Sequence, residues 1–230
     1  MLALDVFSCI GCHTIGLERT GIETAAFCEV NPRRRAVLAR RFPDVPVYDD
    51  IRTFEGVPAD IIIGGPPCQQ TSIISAVQGK RTGETLWPHM LRIGLHVGVQ
   101  WFVVEQPPGN KAWEAEVGRC LSEAGFHVGR FEFSAGDLGA PYLRRRVYLV
   151  ACADLQRLEV ARLAFPSALE SVKGSAVARG DWHPSKCRTL RVSAGTTGGV
   201  ERRERIEALG DSNPPHMAEV IGLVLQQTNK

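Results

Sequence analysis

A chain of 230 residues, 44% hydrophobic and 23% charged, has room for one globular domain with a small appendage and shows no compositional bias toward disorder. The net charge of +2 is too small to announce nucleic-acid binding. No apolar run approaches the roughly 20 residues that span a bilayer. The start Leu2-Ala3-Leu4-Asp5 lacks a basic leader, and the seven scattered cysteines point to reduced thiols, so a cytoplasmic setting is expected.

In chain order, residues 2–7 predict a strand broken by Ser8 and Gly11, then a helix from about His13 to a stop at Gly21. Residues 24–28 predict a second strand ending in Glu29, 32–41 a helix, and 45–48 a short strand ending in Asp49-Asp50. The β-branched run 61–63, closed by Gly64-Gly65-Pro66-Pro67, reads as a buried strand that stops abruptly. A helix over 85–99 follows, with Leu86, Met90, Ile93 and Val97 as its apolar positions, then a strand over 101–104 ending in Glu105. Residues 114–124 predict a helix, and 128–133 and 147–151 predict strands. Beyond 152 the pattern decays: 155–163 reads as helical, 166–199 as irregular, and about 216–225 as a closing helix. Alternating strands and helices predict an α/β fold with a doubly wound, mainly parallel sheet and a small irregular segment.

Cys68 falls in the loop at the carboxyl end of a strand, where open α/β sheets place their ligands and chemistry. Two prolines restrict the backbone before it, which points to a positioned nucleophile. A small buried hydrophobe is the lesser reading, because nothing apolar follows. Glu105 ends another strand of the same sheet, and a thiolate beside an acid suits addition to an electron-poor ring.

The loop from Asp5 to Gly16 is rich in small residues and enters a helix, so its backbone can approach a ligand, although it lacks the full G-x-G-x-x-G spacing. Glu29 stands where an acid can bind ribose hydroxyls, and Asp5, Glu29 and Asp50 together fit a nucleoside-containing cofactor. Each alone is equally a cap or a surface carboxylate, the better reading for Asp49. Cys9-x-x-Cys12-His13 has the form of a c-type haem attachment site, which is set aside because that chemistry needs an exported chain. No second Cys/His pair lies at metal-ligand spacing, so no metal is expected. Arginines cluster at 33–35, 144–146 and 202–203, as phosphate contacts or as solvated faces.

The order of these motifs resembles the cytosine-5 DNA methyltransferases. Asp5–Gly16, with Phe7, Ser8 and Gly11, resembles their cofactor loop. Glu29-Val30 resembles their ribose-binding acid and its neighbour, Asp50-Ile51 their adenine-contacting pair, and Gly65 and Pro67-Cys68-Gln69 their nucleophile motif. Glu105-Gln106 stands for their Glu-Asn pair, Leu138–Tyr148 for their arginine motif, and Ala208–Pro215, with Ser212 and Asn213, for their closing turn. The resemblance implies a Rossmann-like fold, S-adenosylmethionine as methyl donor, and double-stranded DNA with a cytosine flipped out of the helix. Cys68 would add to carbon 6, Glu105 would stabilise the ring nitrogen, and Arg144 and Arg146 would hold the thiolate, base or phosphate. Leu86 and Trp87 would pack near the adenine, unless core packing alone explains them, and residues 73–84 would form a closing loop.

Residues 1–151 would then be the catalytic and cofactor-binding core, 152–201 a reduced target-recognition segment, and 202–230 a C-terminal helix returning to the core. The family favours glycine where this chain has Cys9 and Cys12. Gln106 replaces an Asn, Tyr142 a Gln, and Asp211 an Asn near the donor's methionine end. A carboxylate there repels the donor's own, so Asp211 is expected to point away or to change affinity, with binding retained. The recognition segment of roughly 50 residues, with Trp182, His183, Lys186, Arg188 and Arg191 as candidate DNA contacts, implies a short or relaxed site or a protein partner that supplies recognition. The compact form resembles the small methyltransferases of phages and prophages. A pyrimidine-modifying relative with another substrate or donor, and a non-catalytic binding module, are the alternatives; intact Cys68 and Glu105 speak against the second.

Overall fold

The computed structural model describes residues 1–67, 85–182 and 211–229. Its centre is a seven-stranded sheet of β1 (Leu2–Val6), β2 (Glu23–Cys28), β3 (Val47–Tyr48), β4 (Ile61–Gly64), β5 (Trp101–Gln106), β6 (His127–Ser134) and β7 (Arg145–Cys152). The strand order is β3-β2-β1-β4-β5-β7-β6. The pairs among β1 to β5 are parallel, whereas β7 runs antiparallel to both neighbours. This is the mainly parallel α/β sheet that the alternation of elements predicts.

Six α-helices lie among the described residues: α1 (Cys12–Glu18), α2 (Pro32–Arg41), α3 (Trp87–Val97), α4 (Lys111–Glu123), α5 (Leu155–Ala178) and α6 (Pro215–Gln227). Side chains alternate across a strand, so Ile61 and Ile63 join one core and Ile62 the other. The first core is closed by Leu17 of α1, Leu158 and Val172 of α5, and Val220 and Val224 of α6. The second is closed by Met90 and Ile93 of α3 and by Val117 and Leu121 of α4. Burial on both faces explains why β4 reads as an unbroken apolar run.

Helix α6 returns from the far end of the chain to lie against α1 and α5. The approach is close enough that a Cβ on Gly16 would stand 2.1 Å from the Pro215 carbonyl oxygen. This holds the turn before α6 beside the loop after β1.

One expectation is corrected. The irregular reading of the chain from Pro166 fails as far as Ala178, because α5 is a 24-residue helix with Pro166 inside it. Asp154 caps it, its side chain accepting from the amides of Gln156 and Arg157. The buried stripe of Leu158, Ala161, Ala168, Val172 and Ala176 does have helical spacing. Small residues in the stripe and exposed Val160, Leu163 and Val177 outside it hide the period, and Pro166 reads as a breaker. No helix among the described residues is long and apolar enough to cross a membrane.

Candidate active site

The carboxyl ends of β1, β4 and β5 converge on a cleft lined by residues that include Ser8, Cys12, His13, Gly65, Glu105 and Asn213. Asp5, fully buried in β1, anchors its floor: Thr14 Oγ1 donates to Oδ2 at 2.9 Å, and His13 Nδ1 lies 3.5 Å from Oδ1. Burial alone pulls the His13 imidazole down, but the hydrogen bond and charge of Asp5, with the charge of Glu105, leave it above its ordinary value. Its Nε2 is buried with no partner among the described residues.

The loop after β1 turns through left-handed backbone at Phe7 (φ 56°), Cys9 (φ 52°) and Gly11 (φ 80°). Such values are uncommon outside glycine and mark a strained turn held by its surroundings. One restraint is Glu29, whose Oε2 accepts from the Cys9 amide at 2.8 Å while Oε1 accepts from the Asn31 amide at 2.9 Å. The Ser8 hydroxyl donates to the Asp5 carbonyl.

Glu105 is 7% exposed and lies within β5, one residue before its end, not beyond it. The antiparallel register of β7 sets Tyr148 opposite Glu105 and Val147 opposite Gln106, which brings the start of β7 beside the end of β5. Arg146 Nε therefore sits 2.6 Å from Glu105 Oε1. On the other side, a Cβ on Gly65 would stand 2.7 Å from Glu105 Oε2, so only glycine leaves that carboxylate its place. Arg144 turns elsewhere: its Nη2 donates to the Ser212 carbonyl and its Nε to Asn213 Oδ1 at 3.4 Å. Desolvation first, and then the charge of Arg146, lower its pKa.

Toward β3, Asp50 Oδ1 accepts from the Arg52 amide at 2.9 Å, and Ile51 is buried. Leu86 is half-buried at the start of α3, Trp87 lies in the core, Val30 is exposed at 67%, and Pro67 is exposed. Cys68, Gln69, residues 73–84, His183, Lys186, Arg188 and Arg191 lie outside the described residues. A larger surface hollow of about 430 Å³, near Phe126, His127 and Leu155, lies by the opposite ends of the strands.

The family model for C-5 cytosine-specific DNA methylases matches residues 1–179. The chain belongs to the C-5 cytosine-specific DNA methylase family. It is 31% identical over 163 residues to the type II methyltransferase M2.BsuMI of Bacillus subtilis, covering 66% of this chain and 42% of that one. It is 30% identical over 177 residues to M.AquIA of Picosynechococcus, covering 64% and 70%. In fold it resembles an E. coli prophage-encoded protein described as a DNA modification methyltransferase, with TM-score 0.55, 24% identity, and coverage of 66% and 46%. It also resembles the S. pombe Dnmt2 methyltransferase, with TM-score 0.54, 20% identity, and coverage of 66% and 49%. The chain spans less than half the length of the Bacillus relative.

C-5 DNA methylases use S-adenosylmethionine, and the residues present suit such a ligand. Glu29 is a buried carboxylate just after β2, Ile51 is buried beyond β3, and the His13 Nε2 beside the cleft lacks a protein partner among the described residues. The departures from the family pattern also have surroundings. Cys9 occupies left-handed backbone, which explains why glycine is favoured there, and its Sγ accepts from the Ser212 hydroxyl at 3.2 Å. Burial pushes the Cys9 thiol up and Cys12 to about 11, so both stay protonated at neutral pH. No group of His, Cys, Asp or Glu suited to hold a metal occurs among the described residues. Trp182, expected as a DNA contact, is half-buried: its indole N–H donates to the Leu138 carbonyl at 2.8 Å, and its ring centroid lies 4.3 Å from that of His216.

Sequence reasoning missed three contributors. Arg34 pairs with Asp211 at 2.6 Å across 177 positions. Arg92 of α3 donates to the carbonyls of Ile51, Arg52 and Phe54 and so holds the Asp50–Phe54 turn. His13 is the third. The arginine cluster at 33–35 and the Cys9-x-x-Cys12-His13 spacing were the only local signals for any of them.

Proposed function

We propose that this chain transfers a methyl group to carbon 5 of cytosine in DNA through a covalent adduct on Cys68, with short or relaxed sequence specificity. The observation that carries the reading is the pair of buried Glu105 with half-buried Arg146, 2.6 Å apart and set against Gly65, three residues before Cys68. The ion pair, which lacks hydrogen-bond geometry, sets a carboxylate at the carboxyl edge of the sheet.

The target cytosine leaves the base stack to reach such a recessed site. Glu105 engages the ring nitrogen N3 and draws electron density from the ring while the Cys68 thiolate adds to carbon 6. Carbon 5 becomes nucleophilic, and S-adenosylmethionine, when bound, supplies the methyl group it takes. Removal of the proton from carbon 5 sends the electron pair back into the ring and expels the Cys68 thiolate, which restores the enzyme. Arg146 holds the carboxylate of Glu105 in place, and Arg144 fixes the Ser212–Asn213 turn against the cleft. Asp5, Phe7, Ser8, Gly11, Glu29, Val30, Asp50, Ile51, Gly65, Pro67, Leu86, Ser212 and Asn213 are proposed to surround the donor.

The relaxed specificity is supported by α5. Residues 155–178 pack into the core, so fewer residues are left to read base edges than the sequence pattern implied. A protein partner that supplies recognition is the alternative source of specificity. Bisulfite sequencing of DNA from cells expressing the chain tests the proposal. Methylated cytosines in a short or degenerate context, absent with Cys68→Ala, are expected; no methylation in either strain refutes it.

A further inference from the structure

We propose that Arg34 and Asp211 form a two-point receptor for the zwitterionic amino-acid end of the methyl donor, the guanidinium taking its carboxylate and Asp211 its ammonium. This rests on the methyl-donor reading above and goes beyond it by assigning the residue that the family pattern makes anomalous.

Placement comes from the sheet. The order β3-β2-β1-β4-β5 sets Asp50-Ile51, Glu29, the loop after β1 and Glu105 along one edge. A nucleoside held by Glu29 lies toward β2 and β3, and the transferable methyl must face Glu105. The remaining arm of the donor is left to the loop after β1 and the turn before α6. Cys9, Cys12, His13, Asp211 and Ser212 line the cleft there. Arg34, on the first turn of α2, reaches this turn with Nη2 2.6 Å from Asp211 Oδ2.

The charges fit the ligand. A zwitterion laid against an Arg–Asp pair places each charge beside its opposite, and the pair is neutral before and after binding. Asp211 therefore need not repel the donor's carboxylate, because Arg34 is the nearer partner for an anion. The neighbouring Cys9 thiol is buried and protonated, so it adds no competing anion. Arg34 is 21% exposed and Asp211 61%, so both are accessible to ligand and partly screened by solvent.

Calorimetry on the full chain separates the outcomes, with S-adenosylhomocysteine and 5′-methylthioadenosine as probes; the second keeps the nucleoside and sulfur but lacks the amino-acid arm. Arg34→Met and Asp211→Asn are each expected to weaken S-adenosylhomocysteine about three- to tenfold, more at low salt, and to leave methylthioadenosine within about twofold. Arg34→Lys keeps the charge and should retain most of the selectivity. A purely structural role would weaken both ligands together, so equal losses overturn the proposal, as does S-adenosylhomocysteine binding unchanged in both variants. A wild-type chain that binds neither ligand overturns the donor reading itself. Should Arg34→Met fail to fold, the ligand ratio for Asp211→Asn decides alone.

Discussion

Replacing Gly65 with alanine isolates the orientation of Glu105 from the stability of the fold. The added Cβ would stand 2.7 Å from Glu105 Oε2 and 3.5 Å from the Glu105 carbonyl oxygen. The nearest atom is the tip of a flexible side chain, so the carboxylate yields before the backbone does. Gly65 has no left-handed φ, so alanine adds no backbone strain. Relieving the contact to ordinary van der Waals distance needs a shift of roughly half an ångström or more. Because Oε1 is held 2.6 Å from Arg146 Nε, that shift rotates the acid away from its set direction. Misplacements of about 1 Å in a positioned catalytic group cost about 10²-fold in rate. Gly65→Ala should therefore lower kcat for methyl transfer to cytosine-containing DNA by about ten- to a hundredfold. Its thermal midpoint should stay within a few degrees of wild type. Methyl transfer from radiolabelled donor, with a melting curve on the same preparation, measures both. Wild-type kcat in a folded Gly65→Ala variant would refute the reasoning, because Glu105 would not need its observed position.

Gly16→Ala tests the α1–α6 contact: the new Cβ meets backbone, 2.1 Å from the Pro215 carbonyl oxygen, and should cost about 1–3 kcal/mol by denaturant unfolding. His13 predicts a pH dependence. Its folded pKa lies above its ordinary 6.5, so its pairing with Asp5 contributes fully below 6.5 and is lost as pH rises through the raised value. Stability should fall over that window in wild type and less steeply in His13→Phe; parallel pH curves would contradict the pairing. Trp182→Phe, which removes the indole bond to the Leu138 carbonyl, should cost about 1 kcal/mol of stability by the same unfolding assay.

The parts of the fold written in local chemistry were legible in the sequence. Helix α2 has the bounds its sequence implies, because Pro32 opens it and the Asn31 side chain accepts from the Arg33 and Arg34 amides. β4 was legible because burial on both faces demands an unbroken β-branched run. What the sequence hid depends on distant partners. The antiparallel entry of β7 between β5 and β6 leaves no local mark, yet it alone explains why Arg146 meets Glu105. Asp211 read as a liability because Arg34 lies 177 positions away, and α5 was obscured by Pro166 and a stripe built partly of alanine. Cys68, the residue on which the sequence argument turns, lies outside the described residues.

Peptide mapping after trapping tests the central claim most directly. The full chain is incubated with S-adenosylmethionine and a duplex carrying 5-fluorocytosine, whose carbon 5 cannot release a proton, and the linked peptide is sequenced by mass spectrometry. The account predicts a donor-dependent adduct on Cys68 and on no other cysteine, lost in Cys68→Ala. An adduct on Cys9 or Cys12, or no adduct with any fluorinated duplex that the chain binds, would contradict it.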